Sequence, residues 1–170
     1  MKIIQLKNVA NGFASIDFSR IDMNAVMREG NLEIITGKQF TWNRNTGNQI
    51  SDCPFYIGSM PIFETEKLRP ALNSLNVKSA EFKVEGKQYT MIAAPQISGS
   101  VINREASEMR AFRNGEIMTV QKYVFNANYE YPEIFTPKEF IMDTFCSLNA
   151  AKNLLYCQFH ELKFIECEII

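Results

Sequence analysis

The stretch EMRAFRNGEIMTVQKYVF, residues 108–125, constrains the fold more than any other. Asn114-Gly115 is the favoured pair for a type I′ turn, and β-forming residues flank it on both sides. The spacing therefore predicts a hairpin. SAEFKVEGKQYTMIAAP (79–95) reads as another, turning at Glu85-Gly86. Asn11-Gly12 signals a further turn between KIIQLK (2–7) and GFASIDFS (12–19). In the latter run Ala14, Ile16 and Phe18 point one way and Phe13, Ser15 and Asp17 the other. Near the end of the chain, Leu162, Phe164, Glu166 and Glu168 alternate with Lys163, Ile165, Cys167 and Ile169, as on a half-buried strand. A largely antiparallel sheet is the common implication.

Helical signals interrupt these strands twice. In GSMPIFETEKLRPAL (58–72), a short strand over 55–60 leads to a helix capped by Glu64 or Thr65. Glu66 lies in its first turn, and Leu68, Leu72 and Leu75 form one apolar face. Pro70 either delays or kinks this helix, because it lacks a backbone donor. In YPEIFTPKEFIMDTF (131–145), Thr136 reads as a cap, Pro137 as the first helical residue and Glu139 as the partner in a capping box. Phe140, Thr144, Phe145 and Leu148 would then face inward. Residues 20–31 fit either a short helix ended by Gly30 or a loop, and 32–40 is strand-like with a break at Gly37. Residues 43–54 are polar and turn-rich and read as the least core-like segment. The expectation is a single α+β domain over 1–170, a mixed and mostly antiparallel sheet with two main helices packed on it. Residues 55–170 would hold two strand-helix-strand units with a central hairpin.

Composition excludes several classes. Among 170 residues, 46% are hydrophobic and 22% charged, which is globular rather than disordered. A net charge of -1 with no basic stripe argues against nucleic acid as the partner. No run approaches a membrane span or the apolar core of a signal peptide, so a soluble, cytoplasmic protein is expected. Cys53, Cys146, Cys157 and Cys167 form no CxxC pair and share one histidine, so free buried thiols are expected, with no metal and no cofactor.

Candidate chemistry is sparse. Cys157 and His160 are three residues apart, and on a strand they would face opposite ways. Glu166 and Glu168 share a strand face at a spacing that suits paired carboxylates, but also any polar sheet surface. Glycine-rich phosphate loops and GxSxG elbows are absent. Arg104, Arg110, Arg113 and Lys122 interleave with Glu105, Glu108 and Glu116, as on a solvated face. NANYEYPE (126–133) sets Tyr129 and Tyr131 beside Glu130 and Glu133, which suits contact with a basic partner, or a loop whose tyrosines fold back on the sheet.

The order PIF, an acidic cap, KLxxxL, a hairpin, YVF, then EIFTPKEF and LLYCQF resembles a family of small bacterial immunity proteins of polymorphic toxin systems, over about residues 55–165. Pro70 and the lack of a glycine before the last strand depart from that family's pattern. The resemblance implies a more variable N-terminal half, here 1–54, and a cytosolic antidote that binds and occludes a cognate toxin without catalysis. It transfers no site residues. The partner-binding candidates Tyr129, Glu130, Tyr131 and Glu133 come from composition alone. The alternatives are a small enzyme assembled from distant residues such as Tyr123, His160 and Glu166, and a self-associating structural module, for instance a homodimer.

Overall fold

A computed structural model of the chain describes residues 1–138, 140 and 142–170. In chain order the elements are β1 (Ile3–Asn8), β2 (Gly12–Phe13), β3 (Ser15–Ile16), α1 (Met23–Glu29), β4 (Gln39–Phe40), β5 (Trp42–Asn43), β6 (Gly47–Gln49), β7 (Ile62–Glu64) and α2 (Thr65–Leu75). There follow β8 (Lys78–Val84), β9 (Lys87–Ala93), β10 (Gln96–Ile97), β11 (Glu108–Ala111), β12 (Ile117–Lys122), β13 (Val124–Phe125), β14 (Ile134–Pro137), β15 (Thr144–Ser147), α3 (Leu148–Tyr156) and β16 (Leu162–Ile169).

Two sheets carry the architecture. One has six strands in the order β10-β14-β15-β1-β16-β13, and the other four in the order β4-β8-β9-β7. Their interior pairings are antiparallel; the parallel pairs β10-β14, β13-β16 and β4-β8 lie at the sheet edges. Both sheets contain the same split unit. β7 and β8 flank β9 and are joined through α2, while β15 and β16 flank β1 and are joined through α3. The central core lies where α2 (Leu68, Ala71, Leu75) and α3 (Ala150, Ala151, Leu154) meet, between Ile4 and Leu6 of one sheet and Phe63 and Ile92 of the other. A second cluster covers the far face of the four-stranded sheet, with Ile62, Tyr89 and Met91 against Ile16, Val26 and Trp42. A third covers the far face of the six-stranded sheet with Ile3, Tyr123, Phe125, Phe135 and Phe145. Strands clothed on both faces bury successive residues, as Ile3, Ile4, Gln5 and Leu6 do.

Several expectations hold. Glu85 (φ 47°) and Gly86 (φ 87°) make a two-residue turn with two left-handed positions, joining β8 to β9. β11 and β12 form the other hairpin, but its turn differs from type I′. Gly115 (φ 86°) alone is left-handed, and its N–H donates to the Phe112 carbonyl at 2.9 Å, as in a type I turn followed by a bulge. α1 is the helix ended by left-handed Gly30, and the four cysteines are free and buried. α2 runs through Pro70; that residue and Glu66, whose carbonyl loses its partner, both lie on the exposed side.

Other expectations fail for identifiable reasons. Among the described residues there are three α-helices, and the second long one is not 136–148. Residues 134–137 and 144–147 are antiparallel strands instead, with Phe135 opposite Phe145 and Ile134 opposite Cys146. Aromatic and β-branched residues here fill both faces of a sheet, which outweighs a local cap signature; Glu139 of the expected capping box lies outside the described residues. The helix starts at Leu148, where Ser147 Oγ accepts from the Ala150 N–H at 3.0 Å. Asn11-Gly12 closes no hairpin, because β15 and β16 occupy both edges of β1; β2 and β3 pair with β6 and β5. Residues 55–60 contain no strand, and Leu32–Ile34 is a 3-10 turn. Most consequentially, residues 51–55 are buried.

Candidate functional site

The segment after β6 passes beneath the N-terminus of α2 and the loop between α3 and β16, and it places Ser51, Asp52 and Cys53 there. The Asp52 carbonyl accepts from the Glu64 N–H at 2.8 Å, anchoring the segment where β7 becomes α2. The Asp52 side chain is 8% exposed and receives three donors. Lys67 Nζ lies 2.6 Å from Oδ2, the His160 backbone N–H 3.0 Å and His160 Nδ1 2.9 Å. Glu161 Oε2 accepts from the Asp52 N–H at 3.4 Å and from Ser51 Oγ at 3.5 Å. Ser51 Oγ also accepts from the Cys53 N–H at 3.0 Å. The cluster thus ties an N-terminal segment to the helix connections of both split units.

Its electrostatics follow from this geometry. Burial would raise the Asp52 pKa, but bonding with Glu161, Lys67 and His160 overrides it and holds the carboxyl far below the usual range. Glu161 moves the other way, raised by burial and then by the neighbouring Asp52. The two carboxylates titrate as a pair in which Asp52 stays ionised and Glu161 takes the proton first. Burial pulls the Lys67 ammonium down, and Asp52 more than restores it. Burial pushes the Cys53 thiol up to about 12.

Ligand atoms of Asp52, Cys53 and Glu161 lie within 4.8 Å of one another, the one such metal-capable trio among the described residues. A cation there would displace the Lys67 ammonium from Oδ2 and require an ionised Cys53, so the residues present do not suit one. Asp52 also orients the His160 ring, which is 76% exposed, with Nε2 free of the carboxylate. That is half of an acid–base device. His160 lines neither of two cavities of about 510 and 370 Å³ elsewhere on the protein, and the nearby Ser51 hydroxyl and Cys53 thiol are buried.

The other anticipated residues are dispersed. Tyr123 and Glu166 line a shallow cavity of about 370 Å³ that does not include His160. Their partners are already supplied: Tyr123 Oη donates to Asp143 at 2.6 Å, Glu166 pairs with Lys2 at 2.8 Å and Glu168 with Lys122 at 2.8 Å. Cys157 caps α3 instead of lying on a strand. Of the 129–133 group, Tyr131 packs against Phe125 and Phe135 and donates to the Asn126 carbonyl at 2.6 Å. Glu133 accepts from Ser147 Oγ at the start of α3. Tyr129 is partly exposed, with its hydroxyl 3.0 Å from Ser100 Oγ, and Glu130 is exposed. The more prominent apolar surface is on α3, where Leu155 is 63% and Tyr156 80% exposed.

The fold and this site define an α+β protein built on two main sheets, in which one buried carboxylate, Asp52, ties an N-terminal segment to α2 and to the α3–β16 loop. No family model and no curated protein matches the chain. Among the described residues, no helix is long and apolar enough to cross a membrane.

Proposed function

We propose that the protein works by binding another protein, as an immunity protein that occludes a cognate toxin without turnover. The observation that carries the reading is the internal satisfaction of the Asp52 cluster. Its ammonium, imidazole and carboxylates pair with one another across three segments and leave no convergent set aimed into a cavity. The resemblance over residues 55–165 supplies the immunity part of the proposal. Exposed aromatic and apolar side chains are spread over the surface, Phe112 and Met118 on the β11–β12 hairpin among them. The two candidate contact places are Tyr129 with Glu130, and, on α3, Leu155 with Tyr156, the most exposed aromatic of the described residues. Exposed tyrosines of this kind supply interface area at small entropic cost.

The test is whether the adjacent gene encodes a toxic domain and, with that domain co-expressed, whether cells survive and a one-to-one complex forms by light scattering; a neighbour with no toxic domain counts against the reading. Tyr156→Ala with Leu155→Asp, and separately Tyr129→Ala with Glu130→Lys, assign the surface; one pair should weaken the complex at least ten-fold. Survival that needs His160 Nε2, lost in His160→Ala with the complex intact, would replace occlusion with catalysis. A stable homodimer that hides Tyr156 and ignores the toxin would favour the self-associating module.

A further inference from the structure

We propose that the cleft between the four-stranded sheet and strands β10 and β14 is a binding site for a small amphipathic carboxylate, an inference that does not depend on the toxin reading. The cleft has a volume of about 510 Å³, within the range of small-molecule sites. Its walls include Met27 from α1, Met60, and Met91 from β9. Unbranched thioether chains adapt to ligands of varied outline and offer water few hydrogen bonds.

Two polar features single out the ligand's head group. Thr136, which lines the cleft, is 2% exposed, and its Oγ1 has no hydrogen-bond partner. By strand alternation its side chain points to the same face as Ile134, which belongs to the core that the cleft residues Val77 and Ala94 border. A buried hydroxyl without an acceptor is costly, and a ligand oxygen would relieve it. The cleft also carries two cations, Arg28 and Lys78, against one carboxylate, Glu29. Neither cation has an ion-pair partner among the described residues. Arg28 also complements the carbonyl end of α1, a role that needs no ligand. A single carboxylate answers both features, accepting from the hydroxyl and drawn by the positive excess, while its apolar body fills the methionine-lined space.

The probe is decanoate, kept below its micelle-forming concentration, with decan-1-ol as the uncharged counterpart. The readout is NMR of protein labelled with ¹³C-methyl methionine, since the chain has eight methionines and three line the cleft. Decanoate should shift Met27, Met60 and Met91 saturably and leave Met1, Met118 and Met142 in place. Decanol should bind at least ten-fold more weakly, as should decanoate to the Arg28→Glu, Lys78→Glu double variant. Thr136→Val, which keeps the side-chain volume, should weaken decanoate at least three-fold. Absence of shifts at millimolar decanoate, equal affinity for decanol, or shifts spread over all the methionines would overturn the proposal. So would wild-type affinity in both variants.

Discussion

Replacing Asp52 by Asn keeps the shape of the side chain and removes its charge. The structure sets the size of the effect. With its amide oxygen in place of Oδ2, Asn can still accept from the His160 N–H, now 3.0 Å away, but the ion pair with Lys67 at 2.6 Å is lost and the bond to His160 Nδ1 at 2.9 Å loses its charge. Breaking a fully buried pair costs about 3–5 kcal/mol, because the survivor stays desolvated. Lys67 is 29% exposed and His160 76%, so both rehydrate, and a charge-assisted bond worth about 1.5–3 kcal/mol is the better guide. The expected loss is about 2.5 kcal/mol at pH 7, a fall in Tm of roughly 5–10 °C for a chain of this size. Urea unfolding followed by Trp42, the sole tryptophan, measures it. The pH dependence supplies an independent sign. Asp52 has a depressed folded pKa, so the unfolded chain binds the proton first on acidification. Its contribution is complete above the unfolded value of about 3.9 and is lost as pH falls below it. The gap between wild type and Asp52→Asn should therefore widen as pH falls from 7 to 5, because the variant also loses the part of the Glu161 shift that Asp52 causes, and shrink below pH 4. In a Lys67→Met background the same substitution should cost at least about 1 kcal/mol less. Equal unfolding midpoints at pH 7, or a gap that ignores acid, would refute this account of the cluster.

Glu161→Gln should behave in the opposite sense. The folded pKa of Glu161 is raised, so the native protein gains stability as pH drops from neutral toward 5; the variant should lack that gain and be no less stable at pH 7. Tyr89→Phe removes a hydroxyl that is fully buried without a partner and should raise stability by about 1 kcal/mol in the same urea assay. Gly58→Ala should cost about 1–3 kcal/mol, because a Cβ there meets the Met142 carbonyl oxygen. Cys53, Cys146 and Cys167, each held at about 12 by burial, should resist a thiol-specific chromogenic reagent at pH 8 in the native state, and all four cysteines should react in urea.

What could be read along the chain was whatever local chemistry decides. Glu85-Gly86 and Gly115 need backbone conformations that favour glycine at a turn, and Leu68 and Leu75 share one helix face at any register of packing. The alternation of Ala14, Ile16 and Phe18 against exposed Ser15 and Asp17 holds because strand period does not depend on the partner. Tertiary structure decided the rest. EIFTPKEF carries the marks of a helix start, yet Ile134, Phe135, Cys146 and Phe145 bury more as paired strands in a sheet covered on both faces. The same competition moved the second strand-helix-strand unit to β15, α3 and β16, a split unit like that around β9. Asp52 was invisible for a related reason. Ser51-Asp52-Cys53 reads as a polar loop, and only partners on other elements, Lys67 of α2 together with His160 and Glu161 more than 100 residues away, convert it into a buried junction. The Cys-Pro-Phe run directly after Asp52 was the one local hint of burial. A charge is expensive to bury alone, so the position of such a residue is set by whichever distant donors the fold brings to it.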